Sequence, residues 1–350
     1  MYYDVEAIMR CKKGKEQGGL FDYLERKEAL AKQERGLDRL NAYVDWEAFR
    51  PVLESCIKFK EKPKGGPRPW DLVLMLKILV LQKFHGLSDD ETEFQILDRF
   101  SFQRFVGLDV GDTVPDSKTL WLFKERLGEE GIKALFEHLD HTLRTRGLIG
   151  KAGKIVDASF VEAPKQHNSR EDNAIIKQGE RPKSFDENPH KGAQKDTDAR
   201  WTKKNDETHF GYKNHTKVDA ASKLIVQWHV TPANVHDSQA LETLVEQADG
   251  TLYADSAYKS EQSDMMLETN GIENQIHERA YRDHPLTELQ KELNRLKSRI
   301  RARIEHIYGR LAQYGADLFR RVGIKRATFE IGLGNLVYNL DRCAKLARQA

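Results

Sequence analysis

KIVDASFV, residues 154–161, is a short β-branched run bounded by Gly153 and Pro164. Those features mark a buried strand. Asp157 stands inside it, and a carboxylate there is costly to bury unless a charge or a metal compensates it. Strand alternation sets Asp157 on one face with Ile155 and Ser159. From His209 the pattern alternates again through Phe210, Tyr212, Thr216 and Val218. It passes a polar turn at 220–223 and resumes with Leu224, Val226, Trp228 and Val230, which reads as a hairpin. A helix is expected from a cap at 234–238 through Leu241, Leu244 and Val245. LYAD (252–255) then forms a second core strand ending on Asp255. Strand, hairpin, helix and strand make an α/β layer order. In open α/β sheets, ligands gather at the carboxyl ends of strands, where two such acids can converge.

Upstream of Gly150 the period changes to that of helices. Apolar residues recur at three and four through Leu72, Met75, Leu76 and Leu79 as far as Gly86. Ser88 with Glu91 is a capping pattern, followed by Ile96, Phe100, Phe102 and Phe105. Further helices are expected from Ser117 through Leu127 and over Ile132 to Leu143. The 350 residues thus divide into a helical domain at 1–150 and an α/β domain at 151–350. Residues 162–208 have almost no apolar content and are expected to form a polar insertion without regular structure. The lysine-rich stretch 57–68 reads as a solvated linker or a phosphate contact.

Lys and Arg number 57 against 55 Asp and Glu, a net charge of +2, so the total charge does not announce a nucleic-acid binder. The distribution does, because residues 291–326 hold eleven Lys or Arg against Glu292, Glu305 and Asp317. Leu289, Leu293, Leu296, Ile300, Ile304, Ile307 and Leu311 run as a stripe through this segment, predicting one long amphipathic helix with its basic residues exposed. The three cysteines, Cys11, Cys56 and Cys343, have neither zinc nor disulfide spacing. Histidines 209, 215 and 236 also lack the close spacing of zinc ligands. No signal-peptide core and no run of ~18 apolar residues is present, so a soluble cytoplasmic protein is expected.

Taken singly, a strand-end Asp is an ordinary turn or cap, and Glu305, four residues after Arg301, is an ordinary surface ion pair. The set carries more information. Asp157, Asp255 and Glu305 could together bind two Mg2+ ions, with Mn2+ as a substitute, to activate water or a DNA 3′ hydroxyl and stabilise the leaving oxygen.

VDAS (156–159), HFGYKNH (209–215), VTPANVHDS (230–238), YADSAY (253–258) and RARIEHIYG (301–309) resemble the motif series of DDE transposases of the insertion-sequence-five family. The acids lie 98 and then 50 residues apart, in keeping with that series. PWDLVLMLKILVLQKFHGLSDDETEFQI (69–96) and VPDSKTLWLFKERL (114–127) resemble its leading domain, so the likeness covers roughly Asp45 to Asn339. The resemblance implies a ribonuclease H-like mixed sheet with flanking helices, preceded by an all-helical N-terminal domain. Asp157 would stand on the first strand, Asp255 after the fourth and Glu305 on a later helix. It also implies a nucleoid-associated enzyme that acts on double-stranded DNA, both terminal inverted repeats and target, as a homodimer when the ends are paired. One departure is Ser298, which stands where related enzymes carry a Tyr three residues before the Arg.

Candidate DNA contacts are Arg301 and Arg303 beside Glu305, Lys213 and His215 in HFGYKNH, and Trp201, Lys203 and Lys204 in RWTKK (200–204). Trp201 could stack on an extruded base or anchor a loop. His236 and Asp237 resemble the NVHD of that series, although Asp237 reads as well as a helix cap. The sequence also admits two other readings. One is a regulator with a helix-turn-helix in 88–98 and 116–127 and an inactive catalytic domain; the other is a plain metal-dependent nuclease.

Overall fold

The computed structural model describes residues 19, 21–33, 36–58, 68–150, 153–204, 206–281 and 284–349. Most of the basic stretch 57–68 lies outside the described residues. The helical part consists of α1 (Asp22–Ala31), α2 (Gly36–Tyr43), α3 (Arg50–Cys56), α4 (Leu72–His85), α5 (Asp89–Asp98), α6 (Phe100–Val106) and α7 (Ser117–Thr145). Side-chain caps fix its helix starts. Asp71 accepts from the Leu74 N–H, Ser88 from Glu91 and Asp116 from Thr119. Gly86 ends α4 in the left-handed conformation at φ 64°. The two helices expected across 117–147 are present and meet at Gly128, whose backbone is not helical (φ 56°, ψ −168°); they are numbered together as α7. Because α6 separates α5 from α7, those two helices do not form a tight helix-turn-helix.

The remainder runs β1 (Lys154–Glu162), α8 (Arg170–Lys177), α9 (Lys183–Glu187), α10 (Pro189–Gly192), β2 (Arg200–Lys204), β3 (Glu207–Asp219) and β4 (Ile225–Pro232). It continues with α11 (Leu241–Leu244), β5 (Thr251–Ala254), α12 (Glu261–Thr269), β6 (Glu273–Ile276), α13 (Glu288–Arg301), α14 (Arg303–Gln313) and α15 (Ile324–Gln349). The sheet order is β2-β3-β1-β5-β6, with β4 also pairing β3. β3 lies antiparallel to β1, β2 and β4, and β1, β5 and β6 run parallel. It is a mixed α/β sheet.

Three sequence expectations need correction. The insertion at 162–208 is ordered, carrying α8 to α10 and the edge strand β2. A few buried anchors suffice for this, namely Ile176, Phe185 and Ala199, together with Asp196, which accepts from the Tyr212 hydroxyl at 2.8 Å and from the Gly323 N–H at 3.1 Å. The extra strand β2 also makes Asp255 follow the fifth strand in chain order rather than the fourth. The expected single helix over 289–311 is interrupted for one residue at Ala302, between α13 and α14, where the backbone stays in the right-handed helical region (φ −55°, ψ −16°).

The largest hydrophobic cluster crosses the boundary near residue 150. Leu37, Leu53, Leu76, Leu79 and Leu135 pack in one core with Ile155, Val218, Ile304, Ile307 and Leu336. Ion pairs reinforce the junction. Glu330 on α15 lies 3.6 Å from Lys83 and 3.7 Å from Lys124, and Glu125 pairs with Arg321 and Arg326. No described helix is long and apolar enough to cross a membrane.

Candidate active site

β1 and β5 pair in parallel with Ile155 beside Tyr253 and Val156 beside Ala254. Asp157 and Asp255 are the next residue on each chain, so the two acids emerge from neighbouring strands at one level. Val156 and Ala254 pack with Leu241, Leu244 and Tyr258, whereas Ile155 and Tyr253 pack into the helical core. Alternation therefore turns both acids toward the side that carries α14.

Asp157 Oδ1 accepts from the Ala158 N–H at 2.9 Å, and Oδ2 accepts from Arg301 Nη1 at 3.0 Å. Burial pushes this carboxyl above its ordinary range and the Asp255 carboxylate adds to the effect. The Ala158 N–H, Arg301 and Lys204 oppose it. Asp255 caps the short turn Ser256–Tyr258, accepting from the Ser256 N–H at 2.5 Å.

Glu305 lies in the first turn of α14, exposed and without a hydrogen bond or ion pair among the described residues. The surface pair with Arg301 does not form, because Arg301 is directed at Asp157 instead. One turn after Glu305, the Tyr308 hydroxyl meets Thr216 Oγ1 at 2.9 Å, and Thr216 is the cross-strand partner of Asp157. Glu305 therefore stands between two residues that reach Asp157 or its strand partner. Among the described residues, no group of three or more His, Cys, Asp or Glu is arranged to hold a metal ion. The two strand acids meet; Glu305 stays apart on the adjacent helix. The two strand acids still suit a hard divalent cation, since both carboxylates face one side and burial disfavours Asp157 as a bare anion.

Two neighbours carried no role in the sequence reading. His277 follows β6, donates its N–H to the Ala254 carbonyl at 3.1 Å and places Nε2 3.4 Å from Ser298 Oγ. Burial lowers its pKa, Arg301 acts in the same direction, and Asp255 opposes both. Ser298, at the position of the expected Tyr, is thus a link between α13 and β6. Tyr308 belongs to a motif quoted for its acid, and burial holds its phenol well above the ordinary range. Neither position has a periodicity signal in the sequence.

The candidate DNA contacts divide by exposure. Trp201 is 50% exposed on the edge strand β2, tilted against Phe210 at 5.0 Å, with Lys165 Nζ 5.9 Å from its ring centre. Lys203 is exposed and pairs with Asp206 at 2.8 Å; Lys204 Nζ lies 5.8 Å from the Phe160 ring centre. Arg303 is exposed and donates to the Ala220 carbonyl at 2.6 Å. Lys213 and His215 require correction, because β3 is an interior strand and both point away from Asp157's face. Lys213 is buried against Asp237 at 2.7 Å, and His215 is fully buried with Nε2 2.8 Å from Thr231 Oγ1. Burial without a polar or ionic route outward removes them as DNA contacts. Asp237 is accordingly an ion-pair partner, and the cap is His236, whose ring accepts from the Ser238 N–H.

A sheet of antiparallel strands continued by parallel ones, with acids leaving the two central parallel strands, defines a ribonuclease H-like α/β protein. Residues 150–340 match the family described as Transposase DDE domain, and residues 25–126 match Transposase domain (DUF772). The chain belongs to the DDE transposases and is a DNA transposase, and the pairing of the two domains fits the insertion-sequence-five resemblance. The family generally uses divalent metal ions. No solved structure matches the chain.

Proposed function

We propose that this transposase binds the terminal inverted repeats of an insertion sequence, cleaves them at a site formed by Asp157, Asp255 and Glu305, and joins the freed strand to target DNA. The observation that carries the reading is the pair of acids at one level on the neighbouring strands β1 and β5. Two Mg2+ ions, replaceable by Mn2+, would be held by these three residues and would activate the attacking oxygen and stabilise the leaving one. Asp157 is suited to hold a cation because burial and Asp255 both disfavour its bare charge. Arg301 supplies that positive charge within the chain and is the group nearest to Asp157 able to grip a phosphodiester.

Arg301, Arg303, Trp201, Lys203 and Lys204 form the DNA-facing set in this reading. Phosphate contacts of this kind position the duplex without reading its sequence. Pairing two ends calls for a homodimer in the working complex. The first domain, 1–150, takes part in end binding and assembly, and 151–350 carries the chemistry.

The test uses a labelled element-end duplex with magnesium. Wild type should nick the end and form joined product, which a plain nuclease would not. Asp157→Asn and Asp255→Asn should bind the duplex normally and lose cleavage by on the order of a thousandfold. Cleavage that survives either substitution rejects the assignment.

A further inference from the structure

α13 buries none of its fourteen residues. Leu289, Leu293 and Leu296 are 67%, 42% and 49% exposed, yet they continue with Ile300 into Ile304, Ile307 and Leu311, which are buried on α14. One stripe at spacings of four and three is thus covered along its second half and bare along its first. The helix cannot roll to hide the leucines, because another face is tied down. Asn294 exchanges two hydrogen bonds with the Glu278 backbone, Lys297 Nζ donates to the Ile276 carbonyl at 3.0 Å, and Arg301 holds Asp157. At about 100° per residue the tied face lies roughly a third of a turn from the stripe. A contiguous apolar surface of this kind on a fixed helix marks an interaction site.

We infer that α13 pairs antiparallel with α13 of a second copy of this chain. The charges beside the stripe select this occupant. Setting Leu293 against the partner's Leu296, and Leu289 against the partner's Ile300, brings Glu292 beside the partner's Arg299. The two-fold axis repeats that pair, as an isologous contact requires. Glu292 and Arg299 are both exposed and form no ion pair within the chain among the described residues. A parallel arrangement would instead direct Glu292 at the partner's Lys297, whose ammonium already serves the Ile276 carbonyl, and would leave Arg299 unanswered. Because α13 ends on Arg301, the interface would begin one turn from the proposed catalytic acids. A contact of four apolar layers is weak alone and gains strength when DNA holds two copies together.

The inference deepens the homodimer of the preceding reading and rests on it for its purpose. The experiment is run without DNA or metal, so its failure leaves the catalytic assignment standing. Sedimentation equilibrium of the full chain from about 1 to about 100 μM should show a reversible monomer–dimer equilibrium. Glu292→Arg and Arg299→Glu should each weaken it by roughly tenfold or more, and the double reversal should recover it to within about threefold of wild type. Circular dichroism melting of each variant checks that these exposed substitutions leave the fold intact. A chain that stays monomeric throughout, single reversals without effect, or a double reversal that fails to recover would each overturn the antiparallel pairing.

Discussion

Burying the Asp157 carboxylate is unfavourable, and Arg301 is the cation this fold supplies to offset it. Arg301→Ala should therefore lower stability by about 2 kcal/mol in chelator, short of the full value for a buried pair because both side chains keep some exposure. Magnesium should recover part of the loss by binding the folded state alone. Urea unfolding with and without the ion checks both; identical midpoints for variant and wild type would contradict the pairing. His215 provides an independent test on the opposite face of the sheet. Burial pushes its pKa down to about 4 from an ordinary 6.5, with Lys213 and His229 adding to the shift against Asp237. Between those values the unfolded chain binds the extra proton and the folded chain does not. This contribution is intact above about pH 6.5 and declines as pH falls toward 4, by up to ~3 kcal/mol. His215→Gln should flatten that part of the stability profile, and an unchanged slope would show that other groups dominate it.

Gly211 is the point where β1, β2 and β3 are locked together. It lies opposite both Glu162 and Arg200, at φ 149°, and a Cβ there would overlap the Val161 carbonyl oxygen. Gly211→Ala should destabilise by on the order of 3 kcal/mol, measured by chemical unfolding, and a loss under ~0.5 kcal/mol would mean the strands can part without cost. The elements that the sequence made legible are those with strong local patterns, such as the β-branched β1, the alternating β3 and β4, LYAD in β5 and the capped helices α4 and α5. β6, with the sequence ENQI, is short and polar, so no alternation reveals it. β2, with the sequence RWTKK, buries no residue, and α9 and α10 are too brief to show a period. The interruption at Ala302 is hidden because the apolar stripe runs through it. The strand acids were readable because a carboxylate within or ending an apolar strand is unusual. His277 and Tyr308 emerge only when β6 and α14 come together beside them, and Lys213 and His215 looked exposed because sequence does not reveal whether a strand lies at an edge.

The helical part and the sheet share one core, so they should melt together. Calorimetry of the whole chain should give a single transition, and two resolved transitions would mean that the contacts of Leu76, Leu135, Ile155 and Leu336 do not couple the halves. Glu330→Leu should weaken that junction by about 3 kcal/mol, since it leaves the buried Lys83 without its counter-charge, whereas Lys124 keeps Asp89 at 2.7 Å. This common core is also what holds α14 against the sheet, through Ile304 and Ile307, and so determines where Glu305 stands. In the proposed reaction, positions 157, 255 and 305 serve one metal-binding centre. Its most direct measurement is anomalous scattering from manganese in crystals of the protein with end DNA. Metal density ligated by the Asp157 and Asp255 carboxylates is expected, with Glu305 turned in to join them. Manganese bound elsewhere, or bound at the two aspartates with Glu305 still directed into solvent, would contradict that shared centre.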